Sequence, residues 1–524
     1  MKPLEFEKLT IEQKIGLLIT VRGVRNEEDR AFLFEMLRKK AVGGVQVSCV
    51  PGCDAIIKEI KEAAGYPILI GADMEKGFPL SDAKIPSVMS LAAAANEELA
   101  YQFGAATAIE AKRYGFNMVW GPVVDLIEGD CLCCIPRTFG DDKERTASLA
   151  AAIMRGYRDN GMFFTAKHYP GGRDMVEDTH MVEGKSMLTE ADLVETDLYP
   201  YLYAMEHADL PGVMTGHVRC VEIDPVYPAT LSAPIISILR QAGFDGLIIT
   251  DSFAMMGILQ KFGEEKIYGL AIAAGNDMVL PNYRISFKEA YDYMYTAYET
   301  GVISPARLDE AVKRVLKAQE LTMQPARYPE LSDAHREALK QVARDGICAI
   351  TDPGVSCKLD DGKKRQFVIL SENMYVDDGG ETYEITDPGS ISRKDLPKIE
   401  ACIKEHFPDA VISVISQFPS RRQNEKVCYA STKVDELIFI TYVTSDCYQA
   451  SESLTKKVVN LMNVMGEKRA AHIHLGNPFA LQDAPHFPRR IACFGAEDSV
   501  TLAIQALAGT FLPKGEVPVK LNLQ

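Results

Sequence analysis

The chain has 524 residues, a length at which one hydrophobic core rarely suffices, so two domains are expected. Its composition, 47% hydrophobic and 25% charged, is that of an ordinary globular protein and argues against disorder or low complexity. A formal net charge of -16 argues against nucleic acid as a partner, because such binding needs a basic footprint to release counterions; neutral and cationic ligands stay open.

The first residues, Met1-Lys2-Pro3-Leu4-Glu5-Phe6-Glu7-Lys8, contain acids and no apolar stretch behind a basic start, so no secretory signal is read. No apolar run is long enough to span a bilayer, and no membrane partner is expected. The 12 cysteines lack a small-domain framework and read as reduced thiols, which makes the expected location cytoplasmic. Cys49/Cys53 and Cys131-Leu132-Cys133-Cys134 invite a metal reading, but neither has a second pair at finger-like distance. Core or loop thiols are the favoured reading, and neither a metal nor an organic cofactor is expected.

Up to about residue 325, short apolar strands alternate with amphipathic helices, the rhythm of parallel strands joined by crossovers. Strands are expected at 44–47, 68–70, 118–120, 162–165, 212–215, 247–250 and 278–280, with helices such as 96–112, 147–159 and 234–242 between them. Seven strands over a length near that of one (β/α)8 unit predict a TIM-like barrel with one strand unrecognised or missing. An open doubly wound sheet is the competing layout. The barrel domain is assigned to 1–325, a proline-punctuated linker to 326–334, and a three-layer α/β/α sandwich to 335–524. The sandwich strands are expected at 367–370, 410–415, 437–440, 472–475 and 491–494, with no Gly-x-Gly-x-x-Gly or Walker pattern among them. His472, His474 and Asn477 read as loop residues free to lean over the barrel mouth.

Chemistry-bearing residues follow several barrel strands directly: Asp73 after the second expected strand, Lys167 and His168 after the fourth, His217 after the fifth and Asp251 after the sixth. In a barrel the C-terminal strand ends converge on one mouth, so these distant residues form one constellation. Lys167 and His168 could donate to sugar hydroxyls; alternatively Lys167 snorkels from a strand end and His168 is satisfied by backbone. Gly171-Gly172 would allow close approach to a ligand, though a plain turn needs the same glycines.

Asp178 and His180 are spaced so that, in an extended loop, the carboxylate sits beside the imidazole and makes it a general acid and then a base near neutral pH. A surface histidine with a helix-capping aspartate is the plainer reading. Asp251 suits a nucleophile that forms a covalent glycosyl intermediate, and equally an N-cap for a helix starting near Phe253. Arg137 is either a hydroxyl-binding group or half of a surface salt bridge.

Leu9-Thr10-Ile11-Glu12-Gln13-Lys14-Ile15-Gly16, Phe116-Asn117-Met118-Val119-Trp120-Gly121-Pro122-Val123-Val124-Asp125, Arg137-Thr138-Phe139-Gly140, Lys167-His168-Tyr169-Pro170-Gly171, Asp178-Thr179-His180 and Gly243-Phe244-Asp245-Gly246-Leu247-Ile248-Ile249-Thr250-Asp251 follow one another in that order. Together they resemble glycoside hydrolase family 3 over the whole barrel domain, specifically its β-N-acetylhexosaminidase branch. The resemblance implies a retaining double displacement on a small carbohydrate substrate, with Asp251 as nucleophile and His180, held by Asp178, as acid and base. It also implies that Lys167, His168, Arg137 and Asp73 bind an N-acetylglucosamine ring, with His217 and Met255 nearby.

The family's D-x-E-G-G-x-V-x-R is replaced here by Asp73-Met74-Glu75-Lys76-Gly77-Phe78-Pro79-Leu80-Ser81, and its paired aspartates by Asp251-Ser252. A glycine and a sugar-contacting arginine are therefore missing, and Arg173 is the candidate to supply the lost guanidinium from another loop. Phosphorolysis, a β-glucosidase-like specificity and non-catalytic sugar binding are the competing functions. A histidine acid repels incoming phosphate less than a carboxylate would.

Overall fold

A computed structural model describes residues 2–22, 24, 26–83, 86–128, 137–371, 375–378, 381–384, 390–443, 453–495 and 497–523. These fall into two units, one drawn from 1–85, 97–131 and 142–338, the other from 86–96, 132–141 and 339–524.

In the first unit, eight parallel strands form one sheet in chain order: β1 (Thr20–Arg22), β2 (Gly44–Gln46), β3 (Leu69–Asp73), β4 (Met118–Val123), β5 (Phe163–Tyr169), β6 (Gly212–Thr215), β7 (Leu247–Ser252) and β8 (Met278–Leu280). Ile19 bridges Val279, whose N–H donates to the Leu18 carbonyl at 2.8 Å, so the last strand returns to the first and the sheet curls into a nearly closed barrel. That closure sets the doubly wound layout aside.

The strand missing from the sequence pattern is β1. It is three residues long and follows the helix Ile11–Leu17 almost at once, and the buried residues from Ile15 to Val21 run unbroken through both. A helix end and a buried strand carry the same apolar signal at that length.

The crossover helices start where short polar side chains satisfy free N–H groups. Thr10 with Gln13 and Ser286 with Glu289 form capping boxes, and Asp142 caps the helix Lys143–Asp159. The N-terminal side of the barrel is pinned by Asp277, a fully buried carboxylate. It accepts from Ile248 N–H at 2.9 Å and from the guanidinium groups of Arg240 at 2.8 Å and Arg307 at 2.5 Å.

The second unit is built on a six-stranded sheet: β9 (Cys348–Thr351), β10 (Arg365–Leu370), β11 (Val411–Ile415), β12 (Glu436–Val443), β13 (Arg469–Gly476) and β14 (Arg489–Cys493). The order is β9-β14-β13-β12-β10-β11, parallel except for β9 on the edge. Helices Leu396–His406, Arg421–Ser431, Lys456–Val464 and Glu497–Ala508 complete an α/β/α sandwich, and Ile403, Val427, Met462 and Ile504 join Phe367 and Phe439 in one core.

The strand expected at 472–475 forms as part of β13, and His472 and His474 on it are buried and held to Thr441 of β12 at 2.7 and 2.8 Å, so neither is a loop residue. No helix among the described residues is long and apolar enough to cross a membrane.

Candidate active site

β5 is buried along almost its whole length, as expected for a strand covered on both faces, and its last residues carry the polar groups to the C-terminal rim. Lys167 is almost entirely buried there. Its Nζ donates to Asp73 Oδ1 of β3 at 2.8 Å and also contacts the buried Glu75. His168 is held twice by Asp125: its main-chain N–H donates to Oδ1 at 2.8 Å, and its ring Nδ1 lies 2.7 Å from Oδ2. An acceptor at Nδ1 fixes the proton there and turns Nε2 toward Asp251, 3.8 Å from Oδ2.

Asp251 lies inside β7, and the helix after it starts at Met256 with Met255 as N-cap, so the capping role expected as an alternative does not apply. Its Oδ1 accepts the Ser252 N–H at 2.6 Å. Burial alone would raise this carboxyl, but His168, His217, Lys167 and His180 together outweigh that and carry it down to about 2. His217 is buried with Nε2 2.9 Å from the Ser252 carbonyl and Nδ1 2.8 Å from Thr230 Oγ1. Burial lowers its pKa, which keeps the ring neutral near pH 7.

The loop after β5 brings in the second half of the site. Gly171 has φ +95°, and a side chain there would meet the Asp197 carboxylate, 2.8 Å from where Cβ would stand. Asp197 in turn accepts the N–H groups of Gly172 and Arg173 at 3.1 and 3.2 Å. Further on, Asp174 accepts from Ser186 Oγ and Met187 N–H, and Glu183 pairs with Arg219 through two bonds of 3.0 Å.

Between these anchors Asp178 Oδ1 accepts the His180 N–H at 2.9 Å and lies 2.7 Å from its Nδ1. The imidazole is about one-fifth exposed, with Nδ1 on the carboxylate. That bond fixes the proton on Nδ1 and leaves Nε2 as the nitrogen that exchanges a proton with a ligand, and His180 lies close enough to bear on Asp251. One rim therefore holds an ionised carboxylate on β7 and a carboxylate-oriented imidazole on the β5 loop.

Asp73, Lys167, His168, Asp178, His180, His217 and Asp251 thus come from three strands, the loop after β5 and the turn after β6 of the same unit. Met255 is buried on the β7 side, where its N–H donates to the Ser252 carbonyl at 3.2 Å. Arg173 goes elsewhere: its guanidinium is engaged by Asp197 and, at 3.2 Å, by Glu128, a brace within the loop. Arg137 is buried in the segment grouped with the second unit.

Three residues of this rim escaped the sequence reading. Asp125 and Glu75 stand inside the quoted motifs, so a search for acids flanking each strand end would have found them. Arg22 ends the unrecognised β1 and donates to Ser252 Oγ.

Among the described residues no group of three or more His, Cys, Asp or Glu side chains could hold a metal ion, and Cys49 and Cys53 are free thiols. The cluster at 131–134 lies outside the described residues.

A sequence model of the glycosyl hydrolase family 3 N-terminal domain matches residues 10–318. A beta-N-acetylglucosaminidase/beta-glucosidase of Cellulomonas fimi is 24% identical over 97% of this chain and 93% of its own length. A beta-hexosaminidase of Thiobacillus denitrificans is 32% identical over 55% of this chain and 82% of its own. Among solved structures, a family 3 beta-N-acetylglucosaminidase from Paenibacillus sp. covers 98% of this chain and 100% of its own, with TM-score 0.81 and 22% identity. A beta-glucoside phosphorylase covers 98% of this chain and 95% of its own, with TM-score 0.80 and 20% identity; at that identity both structures speak for the fold alone.

Proposed function

The chain belongs to glycosyl hydrolase family 3, and from that premise we propose a retaining glycosidase that releases terminal β-linked N-acetylglucosamine from small glycans or cell-wall fragments. The observation that carries the mechanism is the shared rim: Asp251, ionised by the positive groups around it, and His180, oriented by Asp178. The relatives named beta-hexosaminidase and beta-N-acetylglucosaminidase support the choice of sugar.

In the first step Asp251 attacks the anomeric carbon as the glycosidic C–O bond breaks, and His180 passes its proton to the leaving oxygen. Asp178 supports the imidazolium before transfer and keeps the neutral ring in place after it. In the second step His180 takes a proton from water, whose oxygen attacks the anomeric carbon and releases Asp251. Lys167 and His168, with Asp73, offer donors and an acceptor to the ring hydroxyls, and Asp125 and Glu75 hold those donors in position. We place this chemistry in the cytoplasm, a reading in keeping with the free thiols of the eight described cysteines.

The test is a pair of 4-nitrophenyl β-glycosides, the N-acetylglucosaminide and the glucoside, followed by proton NMR of the first-formed sugar. Faster cleavage of the N-acetylglucosaminide with β-anomer appearing first is expected; α-anomer first would refute the double displacement. One observation favours phosphorolysis as a second reading: the acid is an imidazole, so an incoming anion meets less negative charge than a carboxylate would present. Added phosphate that raises the rate and yields sugar 1-phosphate would establish it.

A further inference from the structure

The residue after the nucleophile is held by both its main chain and its side chain. Ser252 N–H donates to Asp251 Oδ1 at 2.6 Å, so the turn of the carboxylate follows the Ser252 peptide plane, and Oδ2 faces His168 Nε2, 3.8 Å away. The Ser252 carbonyl accepts from His217 Nε2 at 2.9 Å and from Met255 N–H at 3.2 Å, and Phe253 N–H donates to the Leu280 carbonyl of β8 at 3.0 Å. The Ser252 hydroxyl oxygen accepts from Ala254 N–H at 3.1 Å and from the Arg22 guanidinium.

Arg22 belongs to a strand that β7 does not touch. It ends β1, which pairs with β2 and meets the barrel seam at β8, so its side chain reaches past β8 to the serine. Its guanidinium carbon also lies 5.1 Å from the centre of the Tyr283 ring, in the segment that follows β8. Among the described residues no carboxylate pairs with Arg22, whereas Arg30 is paired with Glu59. A half-buried guanidinium bonded to a hydroxyl and to no acid is a costly way to hold a serine, since a neutral donor would serve for packing alone. Costs of that kind are retained where a site needs them.

We propose that Arg22 is a positioning residue for the nucleophile: through Ser252 it fixes the peptide plane that holds Asp251 Oδ1, and so keeps Oδ2 aimed at the anomeric carbon. The proposal rests on the glycosidase reading, in which Asp251 makes and breaks the bond to the sugar. The ring hydroxyls are taken up by Asp73, Lys167 and His168 on β3 and β5, so loss of the Arg22 bond frees the carboxylate to turn and leaves the ring-binding groups in place. An attacking atom displaced by about an ångström loses on the order of 100-fold in rate.

Arg22→Met and Ser252→Ala break this bond from its two ends. Each is expected to lower kcat/KM about 10- to 100-fold on the 4-nitrophenyl and 2,4-dinitrophenyl β-N-acetylglucosaminides alike, because attack is impaired and protonation is not. The inhibition constant of free N-acetylglucosamine should stay within about twofold of the wild-type value, whereas general damage to the rim would move it. The double variant should lose no more than the more impaired single variant, since both changes remove one contact. Unimpaired turnover in both single variants, losses that multiply in the double variant, or an equal loss of sugar affinity overturns the proposal. Ser252→Ala removes a single oxygen, so the rate and affinity tests stand even where Arg22→Met does not fold. Asp251→Ala separates the two readings. Wild-type turnover that Asp251→Ala abolishes and the two single variants leave intact would sink the proposal and keep the glycosidase reading; turnover by Asp251→Ala would sink both.

Discussion

The main-chain N–H of Met256 donates to the carbonyl oxygen of His180 at 3.1 Å, and the next N–H, of Gly257, donates to the Thr179 carbonyl at the same distance. The helix that follows the Asp251 strand thus takes the cap for its first turn from the loop that carries the proton donor. Gln260 Nε2 continues the contact to the Met181 carbonyl at 3.5 Å. Nucleophile and acid come from segments about 70 residues apart, and these bonds fix one against the other.

Gly257 is where this coupling can be disturbed without touching either catalytic group. A Cβ there would stand 2.5 Å from the Val182 carbonyl oxygen and 2.7 Å from that of Thr179, so Gly257→Ala pushes the loop outward. A displacement of about an ångström costs on the order of 100-fold in rate. The loss should be large for an alkyl N-acetylglucosaminide, whose departure needs a proton, and small for the 2,4-dinitrophenyl glycoside, whose departure does not. Equal losses on both would place the damage elsewhere.

Asp178→Asn keeps the shape of the dyad and removes its charge. Without the carboxylate the His180 imidazolium loses its support and the ring its fixed tautomer, so kcat should fall by about 10²–10⁴ with KM little changed. Steady-state kinetics on the 4-nitrophenyl substrate checks this, and a fall in KM affinity alone would contradict it.

Lys167 is the charge on which two acids depend. Lys167→Met would take one cation from the buried Glu75 and strip Asp73 of a 2.8 Å bond. Breaking a buried pair on one side costs about 3–5 kcal/mol, because the remaining charge stays desolvated. Urea denaturation should register that loss, and the double variant Lys167→Met/Glu75→Gln should recover part of it.

The second unit should weaken in mild acid. His472 Nε2, Thr441 Oγ1, His474 Nδ1 and the Asn477 carbonyl form a buried chain in which each donor points onward, an order that needs neutral rings. Burial pushes His474 down to about 4 and holds His472 well below the usual histidine range. A depressed histidine means that the unfolded chain binds more protons between its ordinary value of about 6.5 and the folded one. The stability present above that ordinary value is therefore lost as pH falls through the window. From pH 7 to pH 5 the loss is roughly 2 kcal/mol for His474 alone. Unfolding of the wild type and His474→Gln at both pH values tests this, and equal pH slopes would refute it.

How much of this was readable beforehand follows from how local each signal is. His180 and Asp178 sit two residues apart, and Lys167, His217 and Asp251 end strands whose apolar runs are self-evident, so the rim was legible once the strands were placed. Arg173 misled because its partner, Asp197, is 24 residues away at the entrance to another helix, and nothing near Arg173 announces that pairing. Arg22 was hidden with β1, whose three residues merge into the apolar end of a helix. The strand at 472–475 was legible from its apolar alternation, but not what its two histidines do: the threonine that satisfies them is on the neighbouring strand, about 30 residues away in sequence.

The claim on which the rest depends is that Asp251 forms the bond to sugar. Incubation with 5-fluoro-N-acetylglucosaminyl fluoride, which slows release of a covalent intermediate, followed by intact mass and peptide mapping, tests it directly. A single added fluorosugar on the peptide containing Asp251, absent from Asp251→Ala, is the predicted result. An adduct on a different residue, or steady turnover by Asp251→Ala, would contradict it.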